Sequence, residues 1–332
     1  MKKTNLLAVL ALAATFANGQ TVSTPVVGFV STPIKGYGST GSSSYFSFIP
    51  INLHKTSVFS GNATATGTTV NLSGASLSAG ALNSGSYPTH YLIIQTGSGA
   101  GIVSDVVSNT ASSVTTSDDL SSYLASATQV SVIPHVLLTD VLGTGSSLLL
   151  SGGSANTADL VYLVAADGAF KSFYYKTGLG AGWKDSGTGN SVTGLVVYPS
   201  ESVLVERKQA SDTTSSATIT GQVAANQMVV NFPSGEFNSS ANPFPVSMTL
   251  SSLTSVVAGG SANTADQVFT INPSTGQLTA AYYKTGLGAG WKDAGSGAAA
   301  SASTDISSGF IVQRRASSTA TLTTNSPVPV TP

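Results

Sequence analysis

Apolar side chains along this chain come in short runs separated by clusters of Gly, Ser and Asn. The clearest runs are Tyr91–Gln95, Val130–Pro134, Leu160–Ala165, Gly194–Tyr198, Val203–Arg207, Met228–Phe232, Gln267–Ile271 and Gly309–Arg314. They are rich in Val, Ile, Tyr and Phe, which suit a pleated, half-buried surface. No apolar pattern of helical period is sustained after residue 20. One helix is expected, over Asp118–Ala127, with Asp118 or Asp119 as its cap. Many short strands between Gly-rich turns predict an all-β fold of tandem antiparallel sandwich or barrel-like units.

Two sequence blocks occur twice. Gly152–Asp159 (GGSANTAD) returns unchanged at Gly259–Asp266, and Tyr174–Asp185 (YYKTGLGAGWKD) returns unchanged at Tyr282–Asp293. The offsets are 107 and 108 residues, and Arg207-Lys208 is answered by Arg314-Arg315 at 107. A period this long marks a duplicated domain rather than a solenoid, whose repeats run to about 20–50 residues. The blocks predict an N-terminal β-rich domain over 20–135, a first repeat unit over 136–215 and a second over 216–332. A Pro/Thr-rich tail, Thr323–Pro332, is expected to fray. Ser60–Ser73 faintly resembles Thr220–Phe232.

The first 19 residues read as a signal peptide. Lys2 and Lys3 precede an apolar stretch from Leu6 to Ala17, and Ala17-Asn18-Gly19 supplies small residues before Gln20. That stretch is too short to span a bilayer, which needs about 20 residues, and no later segment is apolar enough. The expected location is therefore secreted or at the cell surface. Removing Lys2 and Lys3 leaves 11 basic against 14 acidic side chains. This balance argues against a nucleic-acid partner. Only 8% of the residues are charged, against about 25% in an average domain. Cys is absent, which excludes disulfides, thiolate metal sites and a Cys nucleophile.

The twelve-residue block reads as a hairpin. Its strand ends are Tyr174-Tyr175-Lys176 and Trp183-Lys184-Asp185, and Thr177–Gly182 is a six-residue connection with glycines for positive φ. Placing Lys176 opposite Trp183 puts Tyr174, Lys176, Trp183 and Asp185 on one face. Two roles compete for these rings. They are core aromatics, the largest single packing contributors, or they form a sugar-stacking platform of Tyr174, Tyr175 and Trp183, with Tyr282, Tyr283 and Trp291 as its twin. The core reading is preferred because the chain has few large residues. The GxGxG spacing at Gly178–Gly182 lacks the following helix that a phosphate loop needs. In GGSANTAD, Asn156 and Asp159, like Asn263 and Asp266, read as turn and cap residues. One carboxylate per block is far short of a calcium loop. His54, His90 and His135 are expected to be scattered, and no nucleophile-elbow or zinc motif accompanies them. No catalytic residue, metal or cofactor is assigned.

Several short motifs follow one another along the chain: Pro25–Val30 (PVVGFV), Ile49-Pro50-Ile51, Ser60-Gly61, Ser98–Gly101, Ser108–Thr110 and Val132–His135. The TAD aspartate, the Tyr-Tyr…Gly-Trp hairpin and Gly309–Val312 complete the series. In this order they resemble an uncharacterised family of exported, β-rich bacterial proteins, from which the chain departs by carrying the hairpin unit twice. The resemblance implies export and β-architecture and brings no catalytic residues.

Taken together, these features predict an exported, non-enzymatic, cell-surface or extracellular structural protein. It is expected to self-associate, or to join the envelope or extracellular matrix, through sheet edges that few charges guard. The alternative is a carbohydrate-binding or adhesive module that takes polysaccharide on the repeated Tyr-Tyr/Trp hairpins.

Overall fold

The computed structural model describes residues 26–36, 44–143, 148–149, 151–164, 168–208, 214–224 and 226–327. The expected signal peptide and the end of the tail, 328–332, lie outside these. The fold is all-β, built of antiparallel sheets and a closed barrel. Strands β1 (Val27–Ile34) and β2 (Tyr45–Pro50) come first. Six strands then close a barrel: β3 (Phe59–Thr66), β4 (Thr69–Leu72), β5 (His90–Ile94), β6 (Val103–Asn109), β7 (Ser113–Thr116) and β8 (Thr128–Pro134), in the order β3-β4-β7-β6-β5-β8. Alternate side chains fill it, among them Ala63, Val70, Leu92, Ile94, Val114, Val130 and Val132.

The helix expected over Asp118–Ala127 is absent. The Asp119 carboxylate instead accepts the Ser121 N–H at 2.9 Å in a local turn, the competition that Asp and Ser offer to a helical backbone. Leu120 and Leu124 from this loop join the barrel core. The helix that does form is short, α1 (Leu138–Leu142), directly after β9 (Val136–Leu137).

Beyond α1 the duplication becomes architecture. Strands β10 (Leu160–Val164), β11 (Phe170–Lys176), β12 (Gly182–Asp185), β13 (Val196–Val197), β14 (Ser202–Arg207) and β15 (Ser215–Gln222) lead into β16 (Met228–Phe232) and β17 (Phe237–Ser240). After a 3₁₀ turn (Leu250–Leu253) come β18 (Gln267–Ile271), β19 (Leu278–Lys284), β20 (Gly290–Asp293), β21 (Phe310–Gln313) and β22 (Ala320–Thr324). One five-stranded sheet runs β12-β11-β10-β14-β2 and the other runs β20-β19-β18-β21-β17. A two-stranded sheet covers each: β1-β15 on the first and β16-β22 on the second. Thus β2 holds the place of β17, and β1 that of β16.

The strand pairings therefore cross the boundaries expected at 135/136 and 215/216. The first copy starts at β1, and the barrel is inserted between its β2 and its β9. The insertion separates the N-terminal strands from the repeated blocks, so the sequence repeat covers only the second part of that copy. Ser60–Ser73 is a barrel hairpin, whereas Thr220–Phe232 runs from the end of β15 through β16, so the faint likeness between them has no counterpart in the fold. Thr323 and Thr324 do not fray, because they pair with Val229 and Met228 in β22.

Side-chain alternation assigns each five-stranded sheet two buried faces. Val161, Leu163, Val203 and Val205 face the inner core under β1-β15 with Trp183. Phe46, Phe48, Tyr162 and Leu204 face the other way and pack on Phe237, Phe269, Ile271, Leu278 and Ile311 of the second sheet. The two sandwiches thus stand back to back, and the contacts are reciprocal. Tyr45, at the start of β2, lies against Gly276 in the β18–β19 turn, while Glu236, just before β17, lies against Gly168 in the β10–β11 turn. In consequence the β11–β12 and β19–β20 hairpins project from opposite ends of the paired sheets.

The repeated aspartates do not act as simple caps. Asp159 is 1% exposed and pairs with Arg207 at 3.0 Å, and Asp266 pairs with Arg314 in the same way. The Lys208 N–H donates to Asp159 at 3.0 Å, and the Arg315, Ala316 and Ala258 N–H groups donate to Asp266 at 2.7, 3.1 and 2.7 Å. The guanidinium of Arg207 also reaches the Ser215 hydroxyl at 3.2 Å, tying the five-stranded sheet to the start of β15. Removing one partner of a buried pair leaves an uncompensated charge, at a cost of about 3–5 kcal/mol. Asp266→Ala is expected to lose stability in that range in urea unfolding. Pairing Asp266→Leu with Arg314→Met should recover only part of it, because three backbone N–H groups then lack their acceptor.

Candidate functional site

In both hairpins the register differs by one residue from that expected. Tyr175 pairs with Trp183 and Lys176 with Gly182; Tyr283 pairs with Trp291 and Lys284 with Gly290. The connection is five residues, Thr177–Ala181, because Gly182 already opens β12. Gly178 and Gly180 take φ of 77° and 70° to turn it. This register places Tyr175 beside Trp183 on the core face, ring centroids 5.6 Å apart and edge to face, with the same separation between Tyr283 and Trp291.

All six candidate rings are accounted for. Trp183 and Trp291 are 6% and 4% exposed, Tyr174 and Tyr282 are buried, and Tyr175 and Tyr283 are half-buried against the indoles. The Trp183 N–H donates to the Gly143 carbonyl and that of Trp291 to the Thr254 hydroxyl, both at 3.2 Å. The indoles are packed within the two sandwich cores and present no open face for a sugar ring. Both tryptophans are expected to emit at short wavelength and to resist acrylamide quenching; strong quenching of either would place it at the surface.

What the hairpins do expose is leucine. Leu179 and Leu287, at the two tips, are each 96% exposed. Charges of both signs gather at the same ends, Asp159, Asp185, Asp266 and Asp293 among them. Of the 11 Lys and Arg after residue 19, eight lie on the repeated hairpins or the adjoining strand ends: Lys176, Lys184, Arg207 and Lys208, and Lys284, Lys292, Arg314 and Arg315. The GGSANTAD loop meets the hairpin base there, through Gly152 N–H to Tyr175 O at 3.3 Å and Gly260 N–H to Tyr283 O at 3.0 Å. The two repeated sequences therefore build one surface per copy.

A second feature was not legible from motifs. A cleft of about 330 Å³ opens between the barrel, the β13–β14 turn and the second sandwich, and Asp105, Asp118, Glu201 and Glu236 all line it. The Asp105 carboxylate accepts from His135 Nε2 at 2.8 Å and from the Tyr198 hydroxyl at 2.9 Å. Behind it His135 packs on Tyr91 (4.9 Å between centroids), whose hydroxyl bonds to His54. The His135 Nδ1 is buried and finds no partner among the described residues. His90 bonds Thr89 at 2.9 Å nearby and is shifted below its ordinary value by burial, with a smaller effect from His135. The histidines are thus gathered, not scattered, because β5, β8 and the segment before β3 converge on one side of the barrel. Among the described residues no serine hydroxyl bonds to any of them, and no three His, Asp or Glu side chains converge to hold a metal.

Tyr198-Pro199-Ser200-Glu201 is a tight turn closed by Glu201 N–H to Tyr198 O at 3.1 Å. Ser200 has φ of 66° where such a turn ordinarily takes glycine. Backbone bonds to Ile51 and Ala241 hold it, at 3.0 and 2.7 Å. The turn thereby fixes Tyr198 and Glu201 on the cleft wall. Neither family models, nor curated proteins, nor solved structures show a match to this chain.

Two groups in this region, the buried His54 and the half-buried Glu201 on the cleft wall, oppose each other in pH dependence. Burial pushes His54 down to about 4. Burial, reinforced by Asp105 against the lowering effect of the Tyr198 N–H, pushes Glu201 up to about 7. Between their ordinary and shifted values, the unfolded chain binds the more protons at His54 and the folded chain the more at Glu201. Rising pH therefore adds stability through His54 from about 4 to 6.5 and removes it through Glu201 from 4.5 to about 7. Glu201→Gln is expected to unmask the His54 slope, at most about 1.4 kcal/mol per pH unit. Urea unfolding across pH 4.5 to 6.5 checks this, and an unchanged slope in the variant would refute it.

Proposed function

We propose that this chain is an exported, non-enzymatic structural protein that assembles outside the cell through its hairpin ends. The observation that carries the reading is the pair of identical tips, each with a leucine almost wholly in water and each at an opposite end of the paired sheets. Packing accounts for the aromatic residues of the repeated block, and turn geometry accounts for its glycines. Neither accounts for Leu179 or Leu287, which contribute nothing to either core yet stand at the same position in both copies. An exposed apolar side chain at a hairpin tip suits a docking contact, and two such contacts facing apart let one molecule link two neighbours. Strand β1 adds apolar surface of the same kind, with Val27 and Phe29 exposed. Few charges elsewhere oppose close approach.

Sedimentation velocity of the chain from Gln20 onward tests the proposal. The expected result is an average mass that rises with concentration. A single monomeric species up to the solubility limit would overturn the assembly reading.

A further inference from the structure

The two sandwiches share an architecture but not a neighbourhood, and strand β1 shows the difference. The Val26 carbonyl accepts the Val223 N–H at 2.9 Å. Bonding alternates along an antiparallel ladder, so Gly28, Val30, Thr32 and Ile34 bond to β15, while Val27, Phe29 and Ser31 turn their N–H and C=O groups to the opposite edge. Gln222, the partner of Val27, follows the same rule and bonds away from β1, to the His54 backbone at 2.7 and 2.8 Å. No described residue takes up the outward groups of Val27, Phe29 and Ser31. The second sandwich has the corresponding edge, and there it is covered. Val30 lies opposite Ile219 and Val230 opposite Leu322, each pair facing its own core, so Phe29 corresponds to Val229. The Val229 N–H donates to the Gly101 carbonyl at 3.2 Å, and the Gln227 side chain donates to the Ala100 carbonyl at 2.7 Å. Both acceptors belong to the barrel loop between β5 and β6. The barrel closes the edge of β16, and because it is not repeated, nothing of the kind among the described residues reaches β1.

The open edge is also apolar and neutral. Val26, Val27 and Phe29 are exposed, Phe29 by 73%. Neither β1 nor β15 carries a charged residue, and charges are what ordinarily keep sheet edges apart. We propose that β1 pairs antiparallel with β1 of a second copy, about a two-fold axis through Phe29. In that register Phe29 lies opposite Phe29 and Val27 opposite Ser31, and every outward N–H and C=O of these residues has a partner. Pro33, which has no N–H to offer, ends the row. Val27 and Phe29 share the outer face of the strand, so those of both copies form one apolar strip on the joined sheet. A second copy suits this edge because a neutral strand turned about that axis presents the matching pattern of donors and acceptors to itself. The contact does not involve the hairpin tips and goes beyond the assembly reading above.

The test is sedimentation velocity of the chain from Gln20 onward, as wild type and in a Leu179→Asp/Leu287→Asp background that removes the tip contacts, each protein first shown to melt as the wild type does. The background variant is expected to form dimers and nothing larger. Adding Phe29→Lys sets two like charges across the axis, and adding Ser31→Pro removes an outward N–H but no bond to β15. Each is expected to weaken dimerisation about tenfold or more. Phe29→Glu alone should weaken it as much, and an equimolar mixture of the Phe29→Lys and Phe29→Glu chains should restore a one-to-one dimer. The β1 contact is refuted, and the tip reading left standing, if the background variant stays monomeric while the wild type assembles, if Phe29→Lys leaves its dimer intact, or if the mixture stays monomeric. A wild type that stops at the dimer and loses it on Phe29→Lys overturns the tip reading and leaves this contact. A monomeric wild type overturns both.

Discussion

The structure depends on a buried ion pair made twice. Asp159 with Arg207, and Asp266 with Arg314, join the start of one central strand to the end of its neighbour deep inside each sandwich. Each aspartate also takes backbone N–H groups, and Arg207 reaches the first residue of the covering strand pair. An ion pair gains little over a hydrophobic replacement in such a place, but it tolerates only one arrangement of its partners. In a chain without disulfides, built of short and sparsely charged strands, each pair ties the start of one strand to the end of its neighbour, β10 to β14 and β18 to β21. The tyrosine–tryptophan hairpins continue the same two sheets, with Trp183 and Trp291 on their buried faces.

Much of this was legible in the sequence, for identifiable reasons. Runs such as VLVER and QVFTI announce strands because side chains alternate between two faces of a sheet. The duplicated blocks announce paired architecture because identical sequence in one chain folds in the same way twice. The burial of Trp183 and Trp291 follows from the scarcity of large residues to fill two cores. The rest was hidden by separation along the chain. Nothing local shows that Tyr45–Pro50 completes the sheet of Leu160–Arg207, because the barrel lies between them. The hairpin register escaped by one residue because Gly182 serves as readily in a strand as in a loop. Asp118–Ala127 has the composition of a capped helix, but Asp119 and Ser121 satisfy one another first.

The candidate surfaces divide along the same line. The leucine of each tip lies inside the repeated TGLGAG, but the sequence did not single it out; its exposure is what sets it apart from the glycines around it. The cleft had no signal in the sequence. Asp105, Tyr198, Glu201 and Glu236 come from the barrel, from a turn of the first sandwich and from the edge of the second. Only the insertion of the barrel between β2 and β9 brings them to one place. The candidate surfaces therefore draw partly on the repeated sequence and partly on the inserted barrel, which is not repeated.

The insertion has a wider effect. Two sandwiches packed back to back through reciprocal contacts form, in outline, a symmetric pair fused into one polypeptide, with neither direction along it preferred. The barrel occurs in one half only and contributes to the cleft at one end only. It gives the molecule a front and a back.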